Sequence, residues 1–308
     1  MCLSIDNCLI VIYVTLNMFY FSSYMGKIFK PALLLFVISL LCVTALSTRQ
    51  LAAQELYIVH FNDTHSHLDP ERGGEYKGCG GVMERAAFVD SLRTVHGKKN
   101  VLLLHAGDFS QGTSYFSELH GDVEVSLLNA LAYDVVALGN HEFDNGLSEL
   151  SRRVANIDCP VVCANYDFKG LIDSRNFKPY TIVHRGGMKI GVIGVLTDLR
   201  TVVDSEISKV LRYLDPVDVV NKYASYLKNV KKCDLVICLT HIGMTNKDSI
   251  ADPELVSKTR NVDVVVGGHS HTFLEAIHYE KNIDGKEIPI VQNGCWGVHG
   301  AELTVKAQ

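Results

Sequence analysis

The sequence has no block of like charges, no internal repeat, no low-complexity tract and no CxxC pair. With a formal net charge of −5, it offers no basic face of the kind that holds a nucleic-acid polymer. Without CxxC, a zinc knuckle is not indicated. What remains is an ordinary globular balance of 20% charged and 47% apolar residues. The 308 residues suffice for one large α/β domain or two small ones.

The N-terminal segment departs from this balance. From Met25, Lys27 and Lys30 precede an apolar run from Pro31 to Leu46, and small residues ending in Ala52 and Ala53 follow. Basic, apolar and small-residue segments in that order form the layout of a secretory signal peptide. The apolar core is short for a membrane span; the rival reading, an uncleaved signal anchor, would be the chain's only membrane attachment. Leu41 before Cys42 disfavours a lipoprotein. Met25 reads as the true start, with residues 1–24 an over-extended reading frame. The expected organisation is a leader over 1–54, a catalytic domain over 55–308, and export to the periplasm or cell surface. Six cysteines follow the leader: Cys79, Cys159, Cys163, Cys233, Cys238 and Cys295. Those in apolar runs read as buried thiols, although export would permit a disulfide.

Short apolar runs alternate with longer amphipathic stretches. Strands are expected at 56–61, 101–106, 134–138, 160–164, 180–184, 189–196, 234–240, 262–268 and 288–293. Most are rich in Val, Ile and Leu without strict alternation, as in strands covered on both faces. Residues 185–188 read as a hairpin turn. Helices are expected near 81–96, 121–132, 146–157, 215–231 and 252–260, with Asp215 and Asp252 as N-cap candidates before prolines. The closing stretch GAELTVKAQ reads as an edge strand. This alternation predicts an α/β domain.

Five of the strand ends share one chemistry. Asp63 and His65 follow the first, Asp108 the second, and Asn140 the third, in GNHEFD; His241 follows the run at 234–240, and His269 and His271 the run at 262–268. Ligands of α/β sheets gather at the carboxyl ends of strands, and glycines there allow close backbone approach. His, Asp and Asn without thiolate suit zinc, manganese, iron, cobalt or nickel. Asp-x-His and His-x-His place two side chains on one side of an extended segment. Seven ligands exceed one tetrahedral zinc and suit two divalent ions. Each residue also has a plain structural reading: a lone buried His or Asp usually satisfies a backbone group, and Asp108 could cap a helix. Those readings do not predict a shared location. They are preferred for His60, His96, His105, His184, His278 and His299. Glu142 reads as hydrogen-bonded behind the site, and His67 and His120 are left open.

The ordered motifs resemble the calcineurin-like metallophosphatases, and the run LLLHAGDFSQGTSYFSELHGDVEVSLLNALAYDVVALGNHEFDNG over 102–146 is similar to their 5′-nucleotidase and UDP-sugar hydrolase branch. The resemblance implies a four-layer αββα sandwich of two mixed sheets flanked by helices. It implies one metal on Asp63, His65, Asp108 and His271 and a second on Asp108, Asn140, His241 and His269, with Asp108 bridging. His141 and Asp144 match the family's catalytic pair; Asp144 has a competing reading as the N-cap of the next helix.

The implied reaction is hydrolysis of a nucleotide or related small-molecule phosphate ester by hydroxide formed between two divalent ions. His141 would stabilise developing charge, or protonate the leaving oxygen, under the influence of Asp144. Secreted relatives of this type carry a C-terminal domain with an aromatic clamp and arginines, whereas the sequence stops at Gln308. The expectation is therefore a separately encoded C-terminal nucleotidase domain, or a different substrate. Alternatives are a 2′,3′-cyclic nucleotide phosphodiesterase, a thiosulfohydrolase-like enzyme, or a non-catalytic binding subunit.

Overall fold

A computed structural model describes residues 55–247 and 249–306, so the leader read over 1–54 lies outside the described residues. The strands, in chain order, are β1 (Glu55–Phe61), β2 (Val101–His105), β3 (Val135–Ala137), β4 (Val161–Val162), β5 (Tyr166–Asp167), β6 (Phe177–Lys178), β7 (Tyr180–Arg185), β8 (Met188–Leu196), β9 (Arg212–Tyr213), β10 (Leu235–His241), β11 (Val264–Val266), β12 (His278–Lys281), β13 (Glu287–Val291) and β14 (Ala301–Lys306). One six-stranded sheet runs β14-β1-β2-β3-β4-β6 and another β12-β13-β11-β10-β8-β7; β5 and β9 form a small ribbon. Each large sheet has a parallel centre and at least one antiparallel edge.

Side-chain alternation along the strands builds three apolar layers. Leu56 and Ile58 of β1 meet Ile190, Val192, Ile237 and Leu239 of the other sheet in an inner layer. Val59 and Phe61, on the opposite face of β1, pack with Val89, Leu128 and Leu150. Those three come from helices α1 (Val82–His96), α3 (Asp122–Ala130) and α4 (Gly146–Val154); α2 (Ser114–Leu119) lies between α1 and α3 in sequence. Ile193, Val236 and Cys238 pack outward against Val220, Ala224 and Leu255. These belong to α6 (Pro216–Ser225) and α7 (Asp252–Lys258), and the short α5 (Ser205–Ser208) precedes them. Helix, sheet, sheet, helix is the expected four-layer sandwich. Burial on both faces explains why strict alternation is missing from the sequence. Truncating an inner-layer residue such as Ile190 to alanine would cost about 2–5 kcal/mol.

The turn at 185–188 is a hairpin with Gly186 at φ 58° and Gly187 at φ 75°, the left-handed pair a two-residue hairpin requires. Asp215 caps its helix by accepting from the Val217 and Asp218 amides. Asp252 does not cap. Ala251 holds the cap position, and the buried Asp252 carboxylate accepts a 2.6 Å hydrogen bond from the Thr240 hydroxyl. Sequence reading also passed over α2, β5, β6, β9 and β12, all too short to show a period. The last stretch is an edge strand, antiparallel to β1. The six cysteines after the leader are free thiols, four of them buried.

Candidate metal centre

The strands β1, β2 and β3 are mutually parallel, as are β10 and β11, so each set opens its carboxyl ends on one side. The loops that follow bring the seven sequence-predicted ligands together. Asp63, His65 and His271 form one group of potential ligand atoms, Asp108, His241 and His269 another, and His65, Asp108 and His141 a third that overlaps both. His271 Nε2 lies 3.4 Å from Asp63 Oδ1. His241 Nε2 lies 3.0 Å from Asp108 Oδ2 and 3.8 Å from Asp63 Oδ1. His65 Nε2 stands 3.9 Å from Asp108 Oδ2. Asn140 Oδ1 meets His269 Nδ1 at 2.9 Å. The two carboxylates sit between the two sets of imidazoles.

The backbone is strained to achieve this. Asp63, His65, Asp108, His269 and His271 all have positive φ, between 46° and 81°. Non-glycine residues seldom adopt that region, and when they cluster there the surrounding structure must hold them. Close approach comes from the neighbouring glycines. A Cβ on Gly139 would stand 2.1 Å from Asp108 Oδ1, and one on Gly107 would stand 2.6 Å from the Gly139 amide.

Supporting residues fix these side chains. His241 Nδ1–H donates to the Ala106 carbonyl at 2.7 Å, which turns Nε2 toward the carboxylates. Asn62 Nδ2 donates to Asp63 Oδ2 at 2.6 Å. The buried Glu142 carboxylate accepts from the amides of Gly139 (2.6 Å), Asp108 (2.9 Å) and Ser110 (3.1 Å), joining two ligand loops from behind. Arg153 spans the same two loops through Ser110 Oγ and the Glu142 carbonyl. Sequence reading placed Glu142 behind the site but missed Asn62 and Arg153, whose roles depend on contacts with other loops.

The donor set fits divalent cations. Burial pulls the His241 imidazole down, but the Asp108 and Asp63 charges outweigh it and hold it at about 9. A hydrogen bond to Asp63, helped by Cys295, lifts His271 to about 10. Burial opposes ionisation of Asp108, yet His241 keeps its pKa well below the usual carboxylate range. The pair of carboxylates thus demands positive charge. Burial keeps His65 and His269 neutral, the state in which imidazole binds a metal.

His141 and Asp144 stand beside these groups. His141 Nδ1 and Asp144 Oδ2 are 2.8 Å apart, and the His141 amide donates to Asp108 Oδ1 at 2.9 Å. Burial would lower the His141 pKa; the Asp144 hydrogen bond, then the Asp108 charge, raise it above the ordinary value. Asp144 is not the N-cap of α4, a position taken by Asn145. Of the two open histidines, His67 stacks on Trp296 and bonds Glu71, while His120 terminates α2 in a left-handed conformation.

The family model for calcineurin-like phosphoesterases matches residues 56–273, an interval that includes all seven ligand candidates. The snake venom 5′-nucleotidase of Gloydius brevicauda is 37% identical over 298 residues, covering 90% of this chain and 49% of that protein. Among solved structures, a 5′-nucleotidase precursor from Thermus thermophilus is 34% identical with a TM-score of 0.71, covering 82% of this chain and 51% of the other. The Haemophilus influenzae NAD nucleotidase has the same TM-score at 28% identity, covering 82% of this chain and 47% of its own. The chain spans about half the length of the curated relatives it matches.

Proposed function

We propose, from the premise that the chain belongs to the calcineurin-like phosphoesterase family, that it is a metal-dependent phosphohydrolase of the 5′-nucleotidase type acting on nucleotides or related phosphate esters. The observation that carries this reading is the convergence of Asp63, His65, Asp108, His241, His269 and His271, with Asn140 against His269, beside a hydrogen-bonded histidine–carboxylate pair. Asp63, His65, Asp108 and His271 would hold one ion, and Asp108, Asn140, His241 and His269 the other. Two divalent ions there would supply Lewis acidity and a nucleophile from water at neutral pH. Asp108 fixes the His141 backbone, and Asp144 favours the protonated imidazole. That imidazole would offer an N–H to charge developing on the phosphoryl group or the leaving oxygen.

The nucleoside grip is proposed to lie in polypeptide that corresponds to the remaining half of the relatives, including the case of a separately encoded C-terminal nucleotidase domain. Residues 55–306 carry the ligands and the His141–Asp144 pair; remote contacts orient a substrate and add binding energy. Export is also part of the proposal and rests on the leader and on similarity to a venom protein.

The test is phosphatase activity on an aryl phosphate and on a nucleoside monophosphate. Exhaustive chelation should abolish both activities, and Mn²⁺ or Zn²⁺ should restore them. Full activity in a metal-free sample would sink the proposal.

A further inference from the structure

Asp252 opens α7 without capping it. Its side chain is wholly buried, and burial pushes its pKa up to about 7. Oδ1 accepts the 2.6 Å hydrogen bond from the Thr240 hydroxyl, while Oδ2 has no hydrogen-bond partner among the described residues. The Asp252 amide donates to the Gly243 carbonyl at 2.8 Å. A buried carboxyl with one oxygen unsatisfied costs stability. The chemistry proposed above does not use it, so its presence calls for another reason.

That reason lies in the two glycines before His269. A Cβ on Gly267 would stand 2.4 Å from Asp252 Oδ2 and 3.4 Å from both Thr240 Oγ1 and Gln292 Nε2. A Cβ on Gly268 would stand 2.9 Å from His241 Nδ1 and 3.0 Å from Asp63 Oδ2. Gly267 is thus packed against the Thr240–Asp252 pair, and Gly268 against two ligand candidates.

The pair reaches two histidines through the backbone. Thr240 directly precedes His241 on β10, where successive side chains point to opposite faces. At its other end, Asp252 bears on Gly267, two residues before His269. His241 and His269 belong, with Asp108, to one group of potential ligand atoms. His271, on the same loop, is held separately: the Thr272 amide and the Ser270 hydroxyl donate to Gln292 Oε1 at 2.6 Å and 3.0 Å.

We propose that Thr240 and Asp252 are positioning residues for the metal centre, and that their hydrogen bond sets the spacing of His241 and His269 and so the affinity of the one ion those histidines would share. The proposal rests on the metal reading above. The experiment titrates Mn²⁺ into the metal-free full chain, reads free Mn²⁺ by electron paramagnetic resonance, and follows urea unfolding of the same samples. The wild type should bind two ions. Thr240→Val should weaken one of them by about 10–100-fold, the usual effect of losing a group that orients a ligand, and leave the other unchanged. Thr240→Ser keeps the hydroxyl and should bind as the wild type does. In a His65→Ala background, where the other ion is already weakened, Thr240→Val should weaken the ion that remains. Unfolding separates positioning from packing. Thr240→Val leaves the Asp252 acceptor unsatisfied and should lower stability. Combining it with Asp252→Leu removes both polar partners and should recover stability without recovering Mn²⁺ affinity. Should that double variant not fold, Asp252→Asn, which keeps the acceptor, should bind both ions normally, and loss of an ion there would count against the proposal. Undiminished binding in Thr240→Val, equal weakening of both ions, or wild-type affinity in the double variant would each overturn it. A wild type that binds no Mn²⁺ would overturn the metal reading and this proposal with it.

Discussion

Single residues at this site divide by what they touch. Asp108 lies near His65 and His241 and also receives the His141 amide. Asp108→Ala is expected to remove both ions together, whereas His65→Ala should weaken only one; metal analysis of the purified variants decides. His141 contacts Asp144 and Asp108 from the edge of the ligand set, so His141→Ala should keep two metals and lose about 10²–10⁴ in rate. The same pair sets a pH dependence. A protonated His141 is the proposed active form, so the rate should fall as pH rises through its raised pKa. Asp144→Asn removes the group that holds the proton, and the basic limb of the profile should move to lower pH. A limb that stays in place would show that Asp144 does not act through His141.

At the scale of elements, the loops carry the strain and the sheets hold it. Five of the ligand candidates are left-handed, and the loops that bear them are tied across the site by Glu142, Arg153, Asn62 and Gln292. Gly139 tests this arrangement because its own φ is not positive, so added volume is the only change. Gly139→Ala would place a methyl group against the Asp108 carboxylate and should abolish metal binding. The circular dichroism of the folded domain should stay close to wild type, since β3 and α4 do not depend on that contact. Retained metal with lost activity would mean that the loop yields more easily than its packing suggests.

The whole molecule has a predictable response to acid. Burial pushes His60 down to about 4 and His105 to about 3, so both stay neutral in the folded state. The unfolded chain takes up protons at these positions below about pH 6.5. Their contribution to stability is therefore complete above that pH. It declines as pH falls toward the folded-state values, by up to about 1.4 kcal/mol per pH unit for each histidine. Denaturant unfolding of metal-free protein at pH about 7 and about 5 should show the loss, and replacing either histidine with asparagine should make it shallower. An unchanged slope in both variants would refute the assignment.

The sequence by itself determined the α/β class, most strands, the longer helices and all seven ligand candidates. It could do so because covered strands need continuous runs of Val, Ile and Leu, and because Asp, Asn and His beside glycine recur at strand ends. It determined the edge strand at 301–306 for a similar reason, the alternation along one exposed face. Tertiary structure alone decided between the local alternatives. Asp144 binds His141 rather than capping α4. Asp252 is buried against Thr240 rather than capping α7. The left-handed backbone at the ligand candidates and the bonds from Asn62, Arg153 and Gln292 were not legible. Those features arise where loops from two sheets meet, between residues as far apart as Asp63 and His269. Local propensity has no term for a contact between such distant residues, whereas packing fixes it.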